Sequence, residues 1–280
     1  MFWEKCLAMI MSILVVAGGN CEESSQVEYI DIPILMYHHI DDTKGSSTIV
    51  SEKNFRNQMK ALKDAGYNTI HFDDLVEYTY NSKELPNNPI CITFDDGYLS
   101  NYEIAYPILD ELNMRATIFV IGSSVGKTKY KDTDHDITPH FSWEQANEMI
   151  QSGVMDIQSH TWDMHQWAPF ESGKYVRESI TKFDVENETR FRQVIEGDCS
   201  KIESKFIENL GYKPNILAYP RGQYTDVSTA ELIENGYIVT LTTKPGTNRV
   251  IKGNPYSLIN LNRFNIDNST STKELLDLIK

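Results

Sequence analysis

The sequence predicts a single parallel (β/α) barrel. Strand-like apolar runs alternate with amphipathic helical segments along the chain. Chemically active side chains follow directly on four of the strand-like runs, and in a parallel barrel such positions converge on one rim, where the active site lies. The chain has 280 residues, which is enough for one domain of this kind.

The elements of the first half follow from apolar periodicity. A helix is expected to start at Ser51 and to stop at Gly66, because Phe55, Met59 and Leu62 repeat on one face. The other expected elements are, in order, a strand at 32–37, a short helix at 73–80, a strand at 89–94, a helix at 100–112 and a strand at 116–121.

In the second half, Ser142 and Gln145 form a capping box that predicts a helix reaching about Ser152. The polar stretches 128–139 and 168–189 are expected to be loops at the barrel mouth. The remaining elements are expected to be a strand ending before His160, a helix at about 192–210, a strand at 215–219, a helix at 228–235, strands at 238–242 and near 258–264, and a helix from Thr272.

Two adjacent carboxylates, Asp95 and Asp96, follow the strand 89–94 and lead onto Gly97. Burying two neighbouring anions is costly unless a positive group lies beside them. A divalent metal ion would bind one carboxylate and leave the other free to take a proton from an attacking water. Gly97 allows the chain to turn at this point. The alternative is an ordinary solvated turn at the end of a strand.

A second strand-like run ends at His160, and His165 follows five residues later. Five residues of helix turn through roughly 500°, and an odd offset in a strand places side chains on opposite faces. The two rings can therefore meet at one ion only if residues 161–164 form an irregular loop. By itself the spacing is weak evidence for a metal site.

Together these motifs resemble the polysaccharide deacetylases, the NodB-like carbohydrate esterases of family 4. The resemblance extends from about Ile30 to the C-terminus and is nearest to the branch that deacetylates poly-β-1,6-N-acetylglucosamine. It implies a distorted or incomplete barrel of seven to eight strands. The five-residue histidine spacing departs from the four residues usual in the family. The stretches that carry the likeness are Thr93–Tyr98 (TFDDGY), Ser159–Thr161 (SHT) with His165, 33–40 (PILMYHHI), 142–145 (SWEQ) and 218–222 (AYPRG).

The resemblance implies a role for each residue of the motifs. Asp96, His160 and His165 would hold one divalent metal ion, with zinc as the first expectation and cobalt or nickel as alternatives. Asp95 would be the general base. The chain has no histidine after His165, so the general acid would be His38, as in the poly-N-acetylglucosamine branch.

Two assignments stay open at this stage. His39 adjoins His38 and should point the other way in a regular strand. The side chain of Arg221 is expected either to pair with Asp95 or to bind substrate, and its backbone N–H to complete the oxyanion site. The residues expected on the substrate side are Arg221, Pro220, Tyr219, Tyr98 and Trp162. Trp167 is a further candidate for stacking on a sugar. The other histidines, His71, His135 and His140, are expected to be structural or surface residues.

The N-terminus is expected to direct export. Residues 1–21 have the pattern of a signal peptide or of a lipoprotein signal with Cys21 as the lipidated residue, and 22–29 would be a tether to a catalytic domain at 30–280. A net charge of −14 argues against nucleic acid or anionic lipid as the main partner. We expect an extracytoplasmic monomer that contacts the membrane only through its N-terminal segment.

The expected function is metal-dependent removal of N-acetyl groups from an N-acetylglucosamine polysaccharide, first of all poly-β-1,6-N-acetylglucosamine. Peptidoglycan, chitin oligomers and O-acetylated xylan are alternative substrates. A carbohydrate-binding protein on a degenerate esterase fold is the alternative outside enzymes, because a C-terminal histidine is missing and the proline motif is altered.

Overall fold

The computed structural model of the protein describes residues 27–42 and 47–280. The segment 1–26, with the expected export signal and most of the tether, lies outside the described residues. The strands are β1 (Tyr29–Ile32), β2 (Ile34–Tyr37), β3 (His39–Ile40), β4 (Ile49–Val50), β5 (Asn68–Thr69), β6 (Pro89–Asp96), β7 (Ala116–Val120), β8 (Met155–Ser159), β9 (Ile216–Ala218), β10 (Val239–Leu241), β11 (Asn248–Ile251) and β12 (Phe264–Asn265). The helices are α1 (Glu52–Asp64), α2 (Phe72–Asn81), α3 (Tyr106–Glu111), α4 (Trp143–Gln151), α5 (Glu188–Leu210), α6 (Asp226–Glu234) and α7 (Thr272–Leu278).

The central sheet is parallel and has the strand order β10-β9-β8-β7-β6-β2-β12, with β5 added beside β6. Its strands curl into an incomplete barrel, so the expected fold class is confirmed. All eight residues of β6 are buried, as expected for a strand covered on both faces. One apolar cluster fills the inside of the curl, and a second lies between the sheet and the outer helices.

The helix starts agree with the local sequence. The Ser51 hydroxyl accepts a hydrogen bond from the Asn54 N–H at the start of α1. At α4 both bonds of the predicted capping box form, between the side chain of each residue and the backbone N–H of the other, Ser142 and Gln145. Each such cap stabilises its helix by about 1 kcal/mol.

Two expectations differ from the structure, and one strand pairing was not expected. The helix expected at 100–112 is divided into a π-helical turn, Asn101–Ala105, and α3, because Pro107 has no N–H with which to continue the ladder. The last strand is shorter than expected, since Pro255–Leu258 forms a 3₁₀ turn and only β12 pairs with β2. The pairing of β1 with β11, antiparallel and outside the main sheet, was not predicted.

The segment 261–266 links the two edges of the curled sheet. On one side the N–H of Leu261 donates to the Thr240 carbonyl, and the N–H of Arg263 donates to the Lys244 carbonyl. On the other side the N–H of Ile266 donates to the carbonyl of Met36. This linkage places Arg263 across the barrel from β6, where Asp95 and Asp96 lie. Within the described ranges, no helix combines the length and the apolar character needed to cross a bilayer.

Candidate active site

The structure brings together Asp96, His160 and His165 at the carboxyl ends of β6 and β8. One ligand atom from each of the three lies within 4.8 Å of the others. The Nε2 atoms of His160 and His165 are 3.6 and 3.8 Å from the same oxygen, Oδ1 of Asp96. The convergence expected from the separate motifs is therefore present in the fold.

Left-handed backbone turns aim these side chains at one point. Asp96 has φ 73° and Gly97 has φ 84°, so two consecutive residues leave β6 in a conformation that few residue types adopt. Thr161 has φ 72° and begins the irregular loop that allows His165 to turn back towards His160. Strained backbone of this kind persists where the surrounding structure enforces it.

The partly buried carboxylate of Asp198, on α5, stabilises the loop between the two histidines. It accepts hydrogen bonds from the backbone N–H groups of Trp162 and Asp163, at 2.7 and 2.8 Å. Burial raises the pKa of Asp198 to about 6, although these two N–H groups oppose the shift. The extra residue in the five-residue spacing is thus accommodated by a loop that is fixed to α5.

The donor atoms of the cluster suit a divalent cation. The Nδ1 of His160 lies 2.7 Å from the Ala218 carbonyl, which leaves Nε2 with its lone pair towards Asp96. Burial lowers the pKa of His160 to about 4, so its imidazole is neutral, as a ligand must be. Among the described residues, Oδ1 of Asp96 is buried with no hydrogen-bond donor. An acceptor that is buried without a donor is what a bound cation would satisfy.

Asp95 is clamped by Arg263. The guanidinium donates two parallel hydrogen bonds to the carboxylate, at 2.7 and 2.8 Å, and its Nε donates to the Thr242 carbonyl at 2.8 Å. Arg263 is fully buried and Asp95 is 2% exposed. Burial alone would raise the pKa of Asp95, but the charge and hydrogen bonds of Arg263, together with the nearby His160 and His38, outweigh burial and hold that pKa well below its usual range.

The two neighbouring histidines point in different directions. Nε2 of His38 is 4.0 Å from Oδ2 of Asp95, whereas Nδ1 of His39 is 2.6 Å from the Ser100 hydroxyl. Nε2 of His39 lies 3.4 Å from Oδ2 of Asp41, away from the cluster. Of the pair, His38 is the one beside Asp95.

A cavity of about 260 Å³ opens over the cluster. Tyr98 forms part of its wall, and the charge of the Asp96 carboxylate, with burial and a hydrogen bond between the two, raises the pKa of the Tyr98 hydroxyl well above its usual value. The buried ring of His140 also faces this cavity, and burial lowers its pKa to about 4. The lining residues are Asp96, Tyr98, Ile121, Ser124, Tyr130, Asp136, Ile137, Thr138, His140, His165, Trp167 and Phe170.

Sequence reasoning missed several of these residues. Arg263 was detectable as a lone cation in the run expected to be the last strand, where an unpaired charge would be costly. His140, expected to be a structural or surface residue, is indeed buried but is part of the cavity wall. Nothing in the local sequence distinguishes Tyr130 and Phe170 from other aromatic residues of the loops.

Three of the expected substrate-side residues lie elsewhere. The ring of Tyr219 is fully buried, with its hydroxyl 2.9 Å from Thr229 Oγ1, so it cannot stack on a sugar. Trp162 lies against Gly122 and lines a separate cavity of about 430 Å³. The guanidinium of Arg221 pairs with Glu178 at 2.5 Å, so the alternative in which Arg221 pairs with Asp95 is wrong.

Pro220 and Arg221 form a short 3₁₀ turn after β9, in which Arg221 has φ 56°. The Cβ of an alanine at Gly222 would lie 2.1 Å from Thr243 Oγ1, so this turn packs closely against the next strand end. The residue that precedes the turn by two positions, Ala218, supplies the carbonyl that orients His160. The motif around Pro220 thus supports the cluster through its backbone.

Two imidazoles and a carboxylate lie together, beside a second carboxylate held by arginine, and this set of donors could hold one divalent metal ion. The family model described as polysaccharide deacetylase matches residues 82–240, more than half of the chain, and the protein belongs to that family. The expected resemblance to this family is therefore confirmed.

Individual relatives agree with this family. The chain is 33% identical over 216 residues to a Bacillus subtilis (strain 168) protein assigned to the polysaccharide deacetylases, YxkH, covering 77% of this chain and 65% of that one. It is 25% identical to the poly-beta-1,6-N-acetyl-D-glucosamine N-deacetylase of Escherichia coli (strain K12), covering 99% of this chain but 45% of that one. It thus spans less than two thirds of either relative. A solved polysaccharide deacetylase from Bacillus cereus is 28% identical, with a TM-score of 0.67 over 90% of this chain and 70% of that one.

Proposed function

We propose that the protein is a metal-dependent hydrolase that removes N-acetyl groups from an N-acetylglucosamine polysaccharide, with poly-β-1,6-N-acetylglucosamine as the first candidate substrate. The observation that supports the proposal most is the cluster of Asp96, His160 and His165 within 4.8 Å of one another, beside the clamped carboxylate of Asp95. Several relatives named for poly-β-1,6-N-acetylglucosamine support the choice of polymer at 25–29% identity.

Asp96, His160 and His165 would hold the metal ion, with zinc as first candidate and cobalt or nickel as alternatives. Three protein ligands leave coordination positions for water and substrate, as a catalytic site requires. The bound ion would polarise the acetamide carbonyl and make water acidic enough to attack it at neutral pH.

Asp95 would act as the general base. Its carboxylate is ionised at neutral pH, since Arg263 and the neighbouring histidines together hold its pKa low. The two hydrogen bonds from Arg263 fix the direction of its lone pairs. A carboxylate with a low pKa is a weak base. The contribution of Asp95 to catalysis therefore depends on its position beside the attacking water as well as on its affinity for the proton.

His38 would act as the general acid. Its Nε2 is 4.0 Å from Asp95 Oδ2, so the two groups stand next to each other at the base of the site. Removing an acetyl group from an amino sugar requires a proton for the departing amine, and His38 can supply it. The backbone N–H of Arg221 remains the proposed donor to the oxyanion.

The rest of the proposal concerns the setting of the enzyme. The export signal expected in residues 1–21 would bring the enzyme to a polysaccharide outside the cytoplasm. We propose an extracytoplasmic enzyme, secreted or tethered through Cys21, that acts as a monomer. Peptidoglycan, chitin oligomers and acetylated xylan remain the alternative substrates.

Acetate release tests the proposal. Purified protein should release acetate from β-1,6-linked N-acetylglucosamine oligomers, lose this activity with a chelator and regain it with zinc, cobalt or nickel. Asp96→Asn should abolish both metal binding and turnover, whereas Asp132→Asn, at an exposed carboxylate outside the cluster, should behave as the parent.

Two other results would change the conclusion. Acetate from peptidoglycan, chitin-type or xylan substrates alone would move the assignment to one of those polymers. Oligosaccharide binding that is unaffected by chelator and without any turnover would instead support the carbohydrate-binding alternative.

A further inference from the structure

Trp167 and Phe170 line the active-site cavity, and they belong to a row of aromatic rings whose third member, His135, lies outside the lining. The indole of Trp167 and the ring of Phe170 are 6.1 Å apart between centroids and 21° from parallel. On Phe170 lies the imidazole of His135, with 4.4 Å between centroids and an angle of 5°. These three nearly parallel rings, Trp167, Phe170 and His135, are called the aromatic wall below.

Trp167 stands out within the aromatic wall because it is 58% exposed while it also lines the cavity that contains Asp96 and His165. An exposed indole leaves a large apolar surface in water, and such surfaces frequently mark binding sites. Trp167 follows His165 by two residues, so it is at the rim of the cavity, next to the candidate ligands.

The segment that carries Trp167 is fixed by polar contacts. The backbone N–H of Trp167 donates to the hydroxyl of Tyr130 at 3.1 Å, and that hydroxyl donates to Glu171 at 2.5 Å. Lys131 bridges Glu171 and Asp163. An aromatic residue held by a rigid frame loses little conformational entropy when it binds a ligand.

The size of the cavity limits what it can hold. About 260 Å³ is below the 300–1,000 Å³ of pockets that enclose a whole drug-sized ligand. A polysaccharide can therefore place about one sugar inside, and the units next to it must lie across the rim. The flat C–H face of a pyranose ring is apolar and matches an exposed indole face.

We propose that Trp167, supported by Phe170 and His135, is a sugar-binding subsite for the unit adjacent to the one whose acetyl group is removed. The ligand is a β-linked chain of N-acetylhexosamine units, and the subsite makes the enzyme favour oligomers over single sugars. The inference rests on the proposed function, since it assumes that the cavity over Asp96 and His165 receives the acetylated unit.

A comparison of substrates of different length tests the subsite. The ratio of kcat/KM for a β-1,6-linked pentamer to that for 4-nitrophenyl acetate should fall about 10-fold or more in Trp167→Ala, chiefly through KM. Trp167→Phe should recover part of the ratio. Tyr175→Ala is the matched control, because Tyr175 is 46% exposed in the adjoining loop 168–189 but does not line the cavity. An unchanged ratio in Trp167→Ala would overturn the subsite.

A binding measurement separates failure of the subsite from failure of the proposed function. Calorimetric titration of the pentamer into Asp95→Asn protein, with and without Trp167→Ala, reports binding without turnover. A loss of affinity of about 10-fold or more on removing the indole supports the subsite even if the parent releases no acetate. Equal affinity with and without the indole, or no binding of the pentamer at all, refutes it.

Discussion

Arg263 provides the sharpest test of how the site is built. We expect Arg263→Met, which keeps much of the side chain's length but removes its charge, to destabilise the fold and to disable Asp95. The guanidinium makes two bonds to Asp95 and one to the Thr242 carbonyl. All of these are buried, because Arg263 is inaccessible to solvent and Asp95 nearly so.

The magnitude follows from the burial of the pair. Removing one partner of a buried ion pair leaves an uncompensated charge and costs about 3–5 kcal/mol of unfolding free energy. Typical domains are stable by about 5–15 kcal/mol, so Arg263→Met should still fold, but with only a small unfolding free energy remaining. Arg263→Lys keeps the charge but lacks the planar fork, and we expect a smaller loss with a clear decrease in kcat.

A double-mutant cycle measures the coupling. Urea unfolding in the presence of chelator, followed by circular dichroism, gives the unfolding free energies of the parent, Arg263→Met, Asp95→Asn and the double variant. Each single substitution leaves the other buried group without its partner, whereas the double variant removes both groups. The double variant should therefore lose less unfolding free energy than the sum of the two single losses, by about 2–3 kcal/mol. Additive losses would refute the clamp as the reason why Asp95 is ionised and oriented.

Further predictions concern the metal, the acid and pH. His165→Ala should lose bound metal as measured by elemental analysis, whereas Asp95→Asn should keep the metal and lose turnover; loss of metal from both would contradict the division of roles. His38→Ala should keep the metal and lower kcat by about 10²–10⁴-fold, while His39→Ala should matter less; the reverse order would assign the acid to His39. Burial raises the pKa of Asp156 to about 7 in the folded protein, above the value of about 3.9 in the unfolded chain. Between about pH 4 and about pH 7 the folded protein therefore binds one proton more than the unfolded chain, and its stability falls as the pH rises. In urea unfolding, the stability of Asp156→Asn relative to the parent should therefore increase by about 3 kcal/mol between about pH 4 and about pH 7. Parallel profiles of the two proteins would show that this carboxylate does not titrate as described.

Local sequence predicted most of the elements because caps and periodicity act over a few residues. The capping box of Ser142 and Gln145 and the apolar face of α1 are features of this kind. The short strands β11 and β12 were missed or misplaced, because two to four residues carry too little periodicity to be recognised and their pairing depends on distant partners.

The position of the candidate site was also predictable. Asp95, Asp96 and His160 come at strand ends, and parallel strands of one barrel end at one rim. The sequence indicates that His165 can reach the site only if an irregular loop follows His160, but it does not indicate whether this loop forms. Contacts with Asp198, some thirty-five residues further along the chain, decide that.

By itself the sequence determined the fold class and the rim on which the chemistry lies, because these depend on periodicity and on the order of elements, while the set of candidate ligands came from the resemblance of its motifs to the polysaccharide deacetylases. Only the tertiary structure decided that Arg263 holds Asp95, across 168 residues of chain, and that Trp167 faces the cavity while Trp162 does not. The physical reason is that side-chain pairing and loop direction arise from packing between segments distant in sequence, which no local pattern specifies.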